Sequence, residues 1–342
     1  MYKGVDFTSK NNITAIIKEN MRSPSEELFT GACEARNKIY GKKVFFRGLV
    51  EYSSYCKNGC YYCGLNNSNK KVKRYRLTRE DILSCCLDGY SRGFHSFVLQ
   101  GGEDAYYNNG RMINVVSSIK SALPDCVITL SMGELPKEMY KELFAAGASR
   151  YLLRHETANA AHYSTLHPDD MSLETRKKCL YDLKETGFDV GAGFMVGSPN
   201  QSIENLAEDL LFLAELKPQM VGIGPFLPQC DTVFKNEPPG SLNLTLTMIA
   251  LTRLLLPYSM LPSTTALATL CKTGRELGIK AGANVVMPNI TPVCYKKDYK
   301  LYDNKASIDS GIDEGLNLMI KSVTDIGYIP DFGQGNPRKA EV

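Results

Sequence analysis

The chain has 342 residues, with 40 Lys and Arg side chains against 37 Asp and Glu, and a formal net charge of +3. This balance does not indicate a nucleic-acid-binding surface. A hydrophobic content of 43% and the lack of any apolar run near 18 residues argue against a disordered chain and a membrane span. Residues 1–20 lack the apolar stretch and cleavage site of a secretory signal, so we expect a cytoplasmic protein.

From Val44 onward, short β-rich runs alternate with longer stretches of helical periodicity, a pattern typical of βα units with a parallel sheet. We predict strands at residues 44–53, 96–103, 126–134, 150–158, 189–197, 220–228, 261–267 and 281–288. Eight such units indicate an α/β fold, a single (β/α)8 barrel over residues 44–330. We expect helices within residues 1–43, a last helix at roughly 312–326 and a tail at 331–342. An open doubly wound sheet is the alternative architecture.

Capping residues support the helix positions. Thr78 with Asp81 resembles a capping box, Pro136 suits a first helical position, and Ser202 is a candidate N-cap. Glycines at the expected helix ends are Gly93, Gly147, Gly187 and Gly278.

Polar side chains gather where the predicted strands end. The clusters are Tyr52-Ser53, Gly101 to Asp104, Ser131 to Glu134, Arg154 to Thr157, and Thr264-Thr265. In a (β/α)8 barrel the C-terminal ends of the strands carry the active site, so this asymmetry indicates an enzyme.

A three-cysteine loop follows the first predicted strand. Cys56, Cys60 and Cys63 form a CxxxCxxC motif, an unusual concentration among the eleven cysteines of the chain. Three thiolates can hold a [4Fe–4S] cluster and leave one iron open for another ligand. A structural zinc site needs four protein ligands, and residues 64–80 offer no fourth Cys or His. Zinc and a role as unliganded core thiols remain the weaker alternatives.

The motif, with the aromatic Tyr62 before its third cysteine, resembles that of radical S-adenosylmethionine (radical SAM) enzymes, and the resemblance covers nearly the whole chain. It implies a [4Fe–4S] cluster on Cys56, Cys60 and Cys63 whose open iron binds SAM. One-electron cleavage of SAM would then yield a 5′-deoxyadenosyl radical.

Further positions resemble the SAM contacts of that family. They are Tyr62, Gly101, Gly102, Glu103, Ser131, Glu156 and Arg176. The resemblance implies that the two glycines admit the methionyl ammonium, Glu156 accepts ribose hydroxyls, and Arg176 pairs with the methionyl carboxylate. The alternative for Arg176 is a solvated charge on a helix.

Within the superfamily, several segments resemble [FeFe]-hydrogenase maturases of the HydE type, including VEYSSYCKNGCYYCGL, VLQGGEDAYY, RYLLRHETAN and LPSTTALAT. Methylornithine synthase and biotin synthase are related families. The resemblance implies an organometallic iron substrate carrying cysteine, carbon monoxide and cyanide, whose cysteine sulfur is attacked by the adenosyl radical during H-cluster assembly. It also implies other hydrogenase maturases and an electron donor as partners, and neither a nucleic acid nor a membrane.

The same resemblance implies a substrate cavity formed by Gln100, Thr129, Arg154, Met220, Thr264, Thr265, Met287, Tyr299 and Tyr302. For Thr129, Met220 and Met287, which lie inside predicted strands, ordinary filling of the barrel is an equally good interpretation. Cys294 is the last cysteine, so we expect no second cluster.

The remaining cysteines and His155 are expected to be structural, with Cys230 and Cys294 near the catalytic rim. Strand alternation would point His155 away from its neighbours Arg154 and Glu156.

Two further functions remain open. A carrier would bind a cluster or an iron complex without catalysis, but it has no use for SAM contacts. Another radical SAM activity of the same subgroup, such as methylornithine synthesis, would use the same barrel and cluster motif.

Overall fold

The computed structural model describes residues 6–108, 110–306 and 311–338. The helices are α1 Lys10–Asn20, α2 Glu26–Tyr40, α3 Arg79–Ser91, α4 Arg111–Ala122, α5 Lys137–Ala145, α6 Ala160–Leu166, α7 Leu173–Thr186, α8 Ile203–Leu216, α9 Leu242–Leu255, α10 Thr265–Leu270, α11 Gly274–Lys280, α12 Val293–Lys296 and α13 Ile312–Asp325. The strands are β1 Lys43–Phe46, β2 Gly48–Ser53, β3 Ser96–Gly101, β4 Val127–Ser131, β5 Arg150–Leu152, β6 Asp189–Ala192, β7 Met195–Val196, β8 Met220–Val221, β9 Gly224–Pro225, β10 Val285–Val286 and β11 Ile329–Asp331.

The main sheet is parallel and follows the chain order β2-β3-β4-β5-β6-β8. Parallel bridges complete the ring, pairing Met220 with Met260, Pro262 with Val285, and Leu49 with Asn289. The expected barrel architecture is therefore confirmed. The doubly wound alternative is wrong, because such a sheet reverses direction at a switch point and does not run through its strands in sequence.

Several predicted strands are shorter in the structure. The segment 150–158 is a strand only over Arg150–Leu152, and 189–197 is split into β6 and β7. The predicted strand 261–267 is wrong in its second half, because Thr265 begins helix α10.

Most helix boundaries follow their capping residues. Thr78 and Asp81 form the expected capping box, and Ser202 caps α8. Pro136 lies one position earlier than expected, at the N-cap of α5. Gly278 does not end a helix but lies inside α11, where a Cβ would come within 2.4 Å of Ser263 Oγ.

The C-terminal segment closes the N-terminal end of the barrel. Strand β11 pairs with β1, and the buried Arg150 guanidinium donates hydrogen bonds to the carbonyls of Gln334 and Gly335, each at 3.0 Å. A small apolar cluster nearby contains Tyr40, Phe45, Met220, Met260 and Val285. These side chains and the C-terminal segment fill the N-terminal end of the barrel. Open space is left at the C-terminal ends of the strands.

Among the helices of the described ranges, none has both the length and the apolar character that crossing a membrane requires.

Candidate active site

The cysteine loop is fastened to three different parts of the barrel. The Lys57 amide donates to Glu103 O at 3.0 Å, beyond β3, and the Tyr61 amide donates to Leu166 O at 3.0 Å, at the end of α6. The Gly64 amide donates to Leu301 O at 2.9 Å, in the segment after α12. These bonds fix the loop over the C-terminal end of the barrel.

Arg74 holds the loop together from within. Its guanidinium donates hydrogen bonds to the carbonyls of Leu65, Asn66 and Asn69 at 3.0, 2.7 and 3.1 Å. One rigid side chain thus supplies the hydrogen-bond donors for three loop carbonyls. These bonds hold the loop in its conformation without any ligand.

The three thiols of Cys56, Cys60 and Cys63 lie half-buried in this loop. Burial raises the pKa of all three thiols, in the case of Cys63 to about 12. A metal bound by these thiols would have to displace their protons.

Three cysteine thiols in one loop are donors that a [4Fe–4S] cluster can use. Within residues 6–108, 110–306 and 311–338, no group of three His, Cys, Asp or Glu side chains is arranged to hold one metal ion. In a [4Fe–4S] cluster each cysteine binds a different iron atom, so three ligands of a cluster need not converge on one point.

The end of β3 is pressed against this loop. A Cβ on Gly102 would lie 2.2 Å from Tyr55 O and 2.7 Å from Cys56 Cβ, so only glycine fits there. The Gly102 amide donates to Ser53 O at 3.2 Å, which ties the end of β3 to the end of β2. The cysteine loop and the glycine pair therefore form one wall.

Glu103, the next residue, has a buried carboxylate that lies between two cations. Its Oε2 lies 3.4 Å from Lys57 Nζ, and its Oε1 lies 3.8 Å from an Arg176 guanidinium nitrogen. Gly133, at φ +80°, makes room for it, because a Cβ there would lie 1.9 Å from Glu103 Cγ.

A cavity of about 300 Å³ opens beside the cysteine loop. It is lined by Tyr62, Cys63, Gln100, Gly101, Ser131, Gly133, Leu152, Leu153, Arg154, Glu156, Arg176, Met195, Pro225, Phe226, Leu227, Ala266, Tyr299, Leu301 and Tyr302. The cavity therefore joins the cysteine loop to polar side chains from distant strands.

Glu156 reaches this cavity through an unusual backbone conformation. Its φ is +66°, in the left-handed region that non-glycine residues rarely occupy. Its amide donates to Gly193 O at 3.1 Å and its carbonyl accepts from the Met195 amide at 3.1 Å, and these bonds hold the conformation. Glu156 Oε2 accepts no hydrogen bond within the described part of the chain, although Arg154 lies 3.1 Å away. A carboxylate held in this way has an oxygen available for hydroxyl donors.

Arg176 is buried, so its interpretation as a solvated charge is wrong. Its Nε lies 2.6 Å from Glu134 Oε1 at the end of β4. Burial by itself would lower the pKa of Arg176, but Tyr163, Glu134 and Glu103 together raise it. The guanidinium is therefore a permanent cation on the cavity wall.

Known proteins with similar sequences were compared with this chain. Residues 50–213 match the family model of the Radical SAM superfamily. HydE, the [FeFe] hydrogenase maturase subunit of Thermotoga maritima, is 44% identical over 94% of this chain and 91% of its own. The chain belongs to the radical SAM superfamily. Membership makes it an enzyme and implies a [4Fe–4S] cluster and SAM as cofactors.

Two further relatives support this assignment. The 3-methylornithine synthase of Methanosarcina acetivorans is 29% identical over 94% of this chain and 90% of its own. The crystal structure of methylornithine synthase (PylB) superposes with a TM-score of 0.81 at 27% identity, covering 95% of this chain and 94% of that one.

Some sequence-predicted residues of this radical SAM enzyme do not line the cavity. The lining does not include Cys56, Cys60, Gly102, Glu103, Thr129, Met220, Thr264, Thr265 or Met287. Met220 accepts a 3.1 Å hydrogen bond from Arg47, and Met287 packs against the same lower cluster. Both methionines therefore fill the barrel, as their position inside predicted strands allows.

The threonines are placed differently. Thr129 is buried two residues before Ser131 on β4, and therefore one layer deeper on the same face. Thr264 precedes α10 as its N-cap and Thr265 is the first residue of that helix, while their neighbour Ala266 lines the cavity.

Sequence reasoning did not assign roles to several residues of the site. Glu134 was noted only as a rim residue, yet it pairs with Arg176. Met195, Phe226 and Leu227 supply much of the apolar wall. A motif search has no signal for such apolar side chains, because they are set by which face of the strand turns inward.

His155 does not line the cavity, as expected, but it lies beyond the end of β5, so strand alternation is not the cause. It is fully buried, with Nε2 3.3 Å from Asp209 Oδ1. Of the other cysteines, Cys85, Cys86, Cys126 and Cys179 are buried, while Cys230 and Cys294 are exposed. For these last two, a role as buried core residues is wrong.

Proposed function

We propose that this radical SAM enzyme is an [FeFe]-hydrogenase maturase of the HydE type. The observation that carries the proposal is the 44% identity to the Thermotoga maritima HydE over 94% of the chain. The cavity beside the cysteine loop supports it, because polar side chains share its lining with Cys63. We take residues 44–330 as the catalytic barrel.

In this proposal Cys56, Cys60 and Cys63 ligate the [4Fe–4S] cluster. When bound, cluster and SAM together supply a 5′-deoxyadenosyl radical by one-electron cleavage of SAM. The loop contributes by being shaped in advance, through its bonds to β3, α6 and the segment after α12.

The neighbouring residues would bind SAM, each through chemistry available in the structure. Arg176, a buried cation, would pair with the methionyl carboxylate. The open oxygen of Glu156 would accept ribose hydroxyls, and Tyr62 would pack near the adenine. The remaining contacts would be made by Gly101, Gly102, Glu103 and Ser131.

The part of the cavity that SAM leaves open would hold the substrate. Gln100 donates to the Tyr299 hydroxyl at 3.3 Å, and the Arg154 guanidinium, whose Nη2 lies 3.1 Å from Glu156 Oε2, keeps its Nε without a hydrogen bond within the described residues. Together with Tyr302, these groups offer donors to carboxylate and cyanide ligands, while Met195 and Leu227 provide apolar walls. We propose a cysteine-ligated organometallic iron substrate, attacked at the cysteine sulfur. Its source would be a partner maturase.

The test is an in vitro maturation assay in which an [FeFe]-hydrogenase is activated by its other maturases with HydE omitted. Addition of this protein should restore hydrogen evolution, and addition of Cys60→Ala should not. Cys271→Ala is the matched control, since Cys271 is also half-buried but lies outside the loop.

Hydrogenase left inactive by a protein that still cleaves SAM would contradict the assignment. Formation of 3-methylornithine by the same preparation would favour the other activity of the subgroup. Restoration by Cys60→Ala would favour a carrier.

A further inference from the structure

A buried histidine–carboxylate pair lies beside the backbone of Glu156. The side chains of His155 and Asp209 are both fully buried, with His155 Nε2 3.3 Å from Asp209 Oδ1. The pair joins two separate elements, because Asp209 lies on α8 while His155 lies in the segment after β5. Neither residue lines the cavity. Any effect of the pair on the site must therefore pass through the backbone that carries Glu156.

A hydrogen bond from the backbone assigns the protonation state of His155. The Gly193 amide donates to His155 Nδ1 at 3.3 Å. A ring nitrogen that accepts a hydrogen bond carries no proton, so the imidazole is neutral and its proton lies on Nε2, toward Asp209. Burial acts in the same direction, because it lowers the pKa of His155 well below its usual range. His155 is thus a fixed acceptor for the amide of Gly193.

Gly193 is the residue that holds the backbone of Glu156. Its carbonyl accepts hydrogen bonds from the His155 amide at 2.8 Å and from the Glu156 amide at 3.1 Å. Only glycine fits here, at φ +152°, because a Cβ would lie 2.0 Å from Gly222 O. A glycine adopts many backbone conformations, so its position depends on the groups that bind its N–H and C=O. At Gly193 both groups bind to His155, and the C=O also binds to Glu156.

Asp209 holds the chain on the other side of Glu156. Its Oδ1 accepts a hydrogen bond from the Ala158 amide at 2.6 Å. Three residues further along α8, the Phe212 ring packs edge-on against the His155 ring, with centroids 4.9 Å apart. Helix α8 therefore fixes the chain at residue 155, one position before Glu156, and at residue 158, two positions after it.

These contacts explain how Glu156 keeps a disfavoured conformation. At φ +66° a glutamate is strained, and such a residue persists only where its surroundings hold it. Because the side chain leaves from this backbone, the direction of the carboxylate depends on the same contacts.

We propose that His155 and Asp209 are positioning residues for SAM, which hold the backbone that directs the Glu156 carboxylate to the ribose hydroxyls. The inference rests on the proposed function, in which Glu156 accepts hydrogen bonds from those hydroxyls. It adds two residues that act on SAM binding without touching SAM.

The test compares the binding of SAM with that of a SAM analogue lacking both ribose hydroxyls. Each ligand is titrated by calorimetry into the reconstituted protein, whose cluster is left oxidised so that no SAM is cleaved. Wild type should bind SAM at least about tenfold more tightly than the analogue, because only SAM offers hydroxyls to a charged carboxylate.

The decisive variant is His155→Leu, which removes the acceptor for the Gly193 amide. Its affinity for SAM should fall by about tenfold, while its affinity for the analogue should stay that of wild type. A general defect of the fold or of the cluster would weaken both ligands alike. An equal loss for the two ligands, or no loss for SAM, would overturn the proposal.

Two further variants separate positioning from folding. His155→Asn places an amide oxygen near the position of Nδ1, so it should restore the preference for SAM; binding as weak as that of His155→Leu would count against the proposal. Because His155→Leu leaves a buried carboxylate beside an apolar side chain, the comparison is repeated with His155→Leu and Asp209→Asn combined. This double variant has no buried charge in the pair and keeps an acceptor for the Ala158 amide.

The matched control is His162→Leu. His162 is also a buried histidine, but its Nε2 lies 3.1 Å from Pro199 O. This variant should keep the wild-type preference for SAM over the analogue. Loss of the preference in His162→Leu as well would overturn a specific role for His155.

Crystal structures distinguish failure of the proposal from failure of the proposed function. We expect the Glu156 backbone and carboxylate to shift in His155→Leu and to keep their wild-type positions in His155→Asn. An unchanged Glu156 in His155→Leu would overturn the proposal. If wild type binds SAM no better than the analogue, the ribose contact of Glu156 fails, while the crystal structures still decide whether the pair positions Glu156.

Discussion

The buried ion pair between Glu51 and Lys305 should fasten the substrate end of the cavity. Lys305 Nζ contacts Glu51 Oε1, and the two side chains are only 7% and 1% exposed. The Asn289 amide donates to the other carboxylate oxygen of Glu51 at 2.8 Å. Since Lys305 lies just after Tyr299 and Tyr302, the pair holds the segment that carries both cavity tyrosines.

Replacing Lys305 by Met should leave a buried carboxylate without its cation. Breaking such a pair costs about 3–5 kcal/mol, and the Asn289 hydrogen bond favours the lower end, about 3 kcal/mol. With an unfolding entropy of about 2.1 cal/mol/K per residue, 3 kcal/mol corresponds to a fall in melting temperature of about 4 °C for 342 residues.

The assay is urea-induced unfolding followed by circular dichroism. The double variant Glu51→Gln with Lys305→Met removes both charges and should recover most of the lost stability. Lys321→Met, which removes an exposed lysine paired with Asp325, is the control and should change stability by less than about 0.5 kcal/mol. The reasoning is refuted if Lys305→Met is as stable as the control, or if the double variant is no more stable than Lys305→Met.

Two other predictions concern the cavity wall and the dependence on pH. Gly133→Ala should abolish SAM cleavage while iron content is retained, because the new Cβ would displace the Glu103 carboxylate; unchanged 5′-deoxyadenosine formation would contradict this. Burial lowers the pKa of His167 to about 4 from 6.5, so the neutral imidazole stabilises the fold above pH 6.5 and this contribution is lost as the pH falls toward 4. Between pH 7 and 5 the loss is about 2 kcal/mol, and His167→Gln should lack this component in urea unfolding of the cluster-free protein. The same pH dependence in both proteins would count against it.

The order of strands and the position of the cysteine loop could be predicted from the sequence. Strands of a parallel barrel are buried on both faces, so they stand out as short apolar runs between amphipathic helices. The cysteine motif needs only local spacing, which the sequence shows directly. The structure confirms the barrel, and the comparisons confirm the superfamily.

The exact strand ends could not be predicted. The run from Leu261 to Leu267 contains β-branched threonines that favour a strand, yet Thr264 caps a helix, because the barrel pairs only its first residues with β10. Local propensity is weak compared with the packing of the whole barrel. Met220 and Met287 show the same limit, since only the assembled barrel decides which layer a strand residue fills.

Long-range polar pairs were also beyond sequence reasoning. Glu51 and Lys305 are 254 positions apart, and Arg176 meets Glu134 across two different βα units. Neither pair has a spacing rule that links its members. The tyrosines carried by the Lys305 segment were expected only through a family resemblance, while the pair that holds them in place was not expected at all.

The measurement that tests the central claim most directly is SAM cleavage by the reconstituted protein. The protein is loaded anaerobically with iron and sulfide, reduced with dithionite and given SAM, and 5′-deoxyadenosine is quantified beside Cys60→Ala and the control Cys271→Ala. We expect wild type and Cys271→Ala to form 5′-deoxyadenosine and Cys60→Ala to form none. Equal product from Cys60→Ala, or none from a wild-type protein with an intact reduced cluster, would contradict SAM cleavage at a cluster held by the three-cysteine loop.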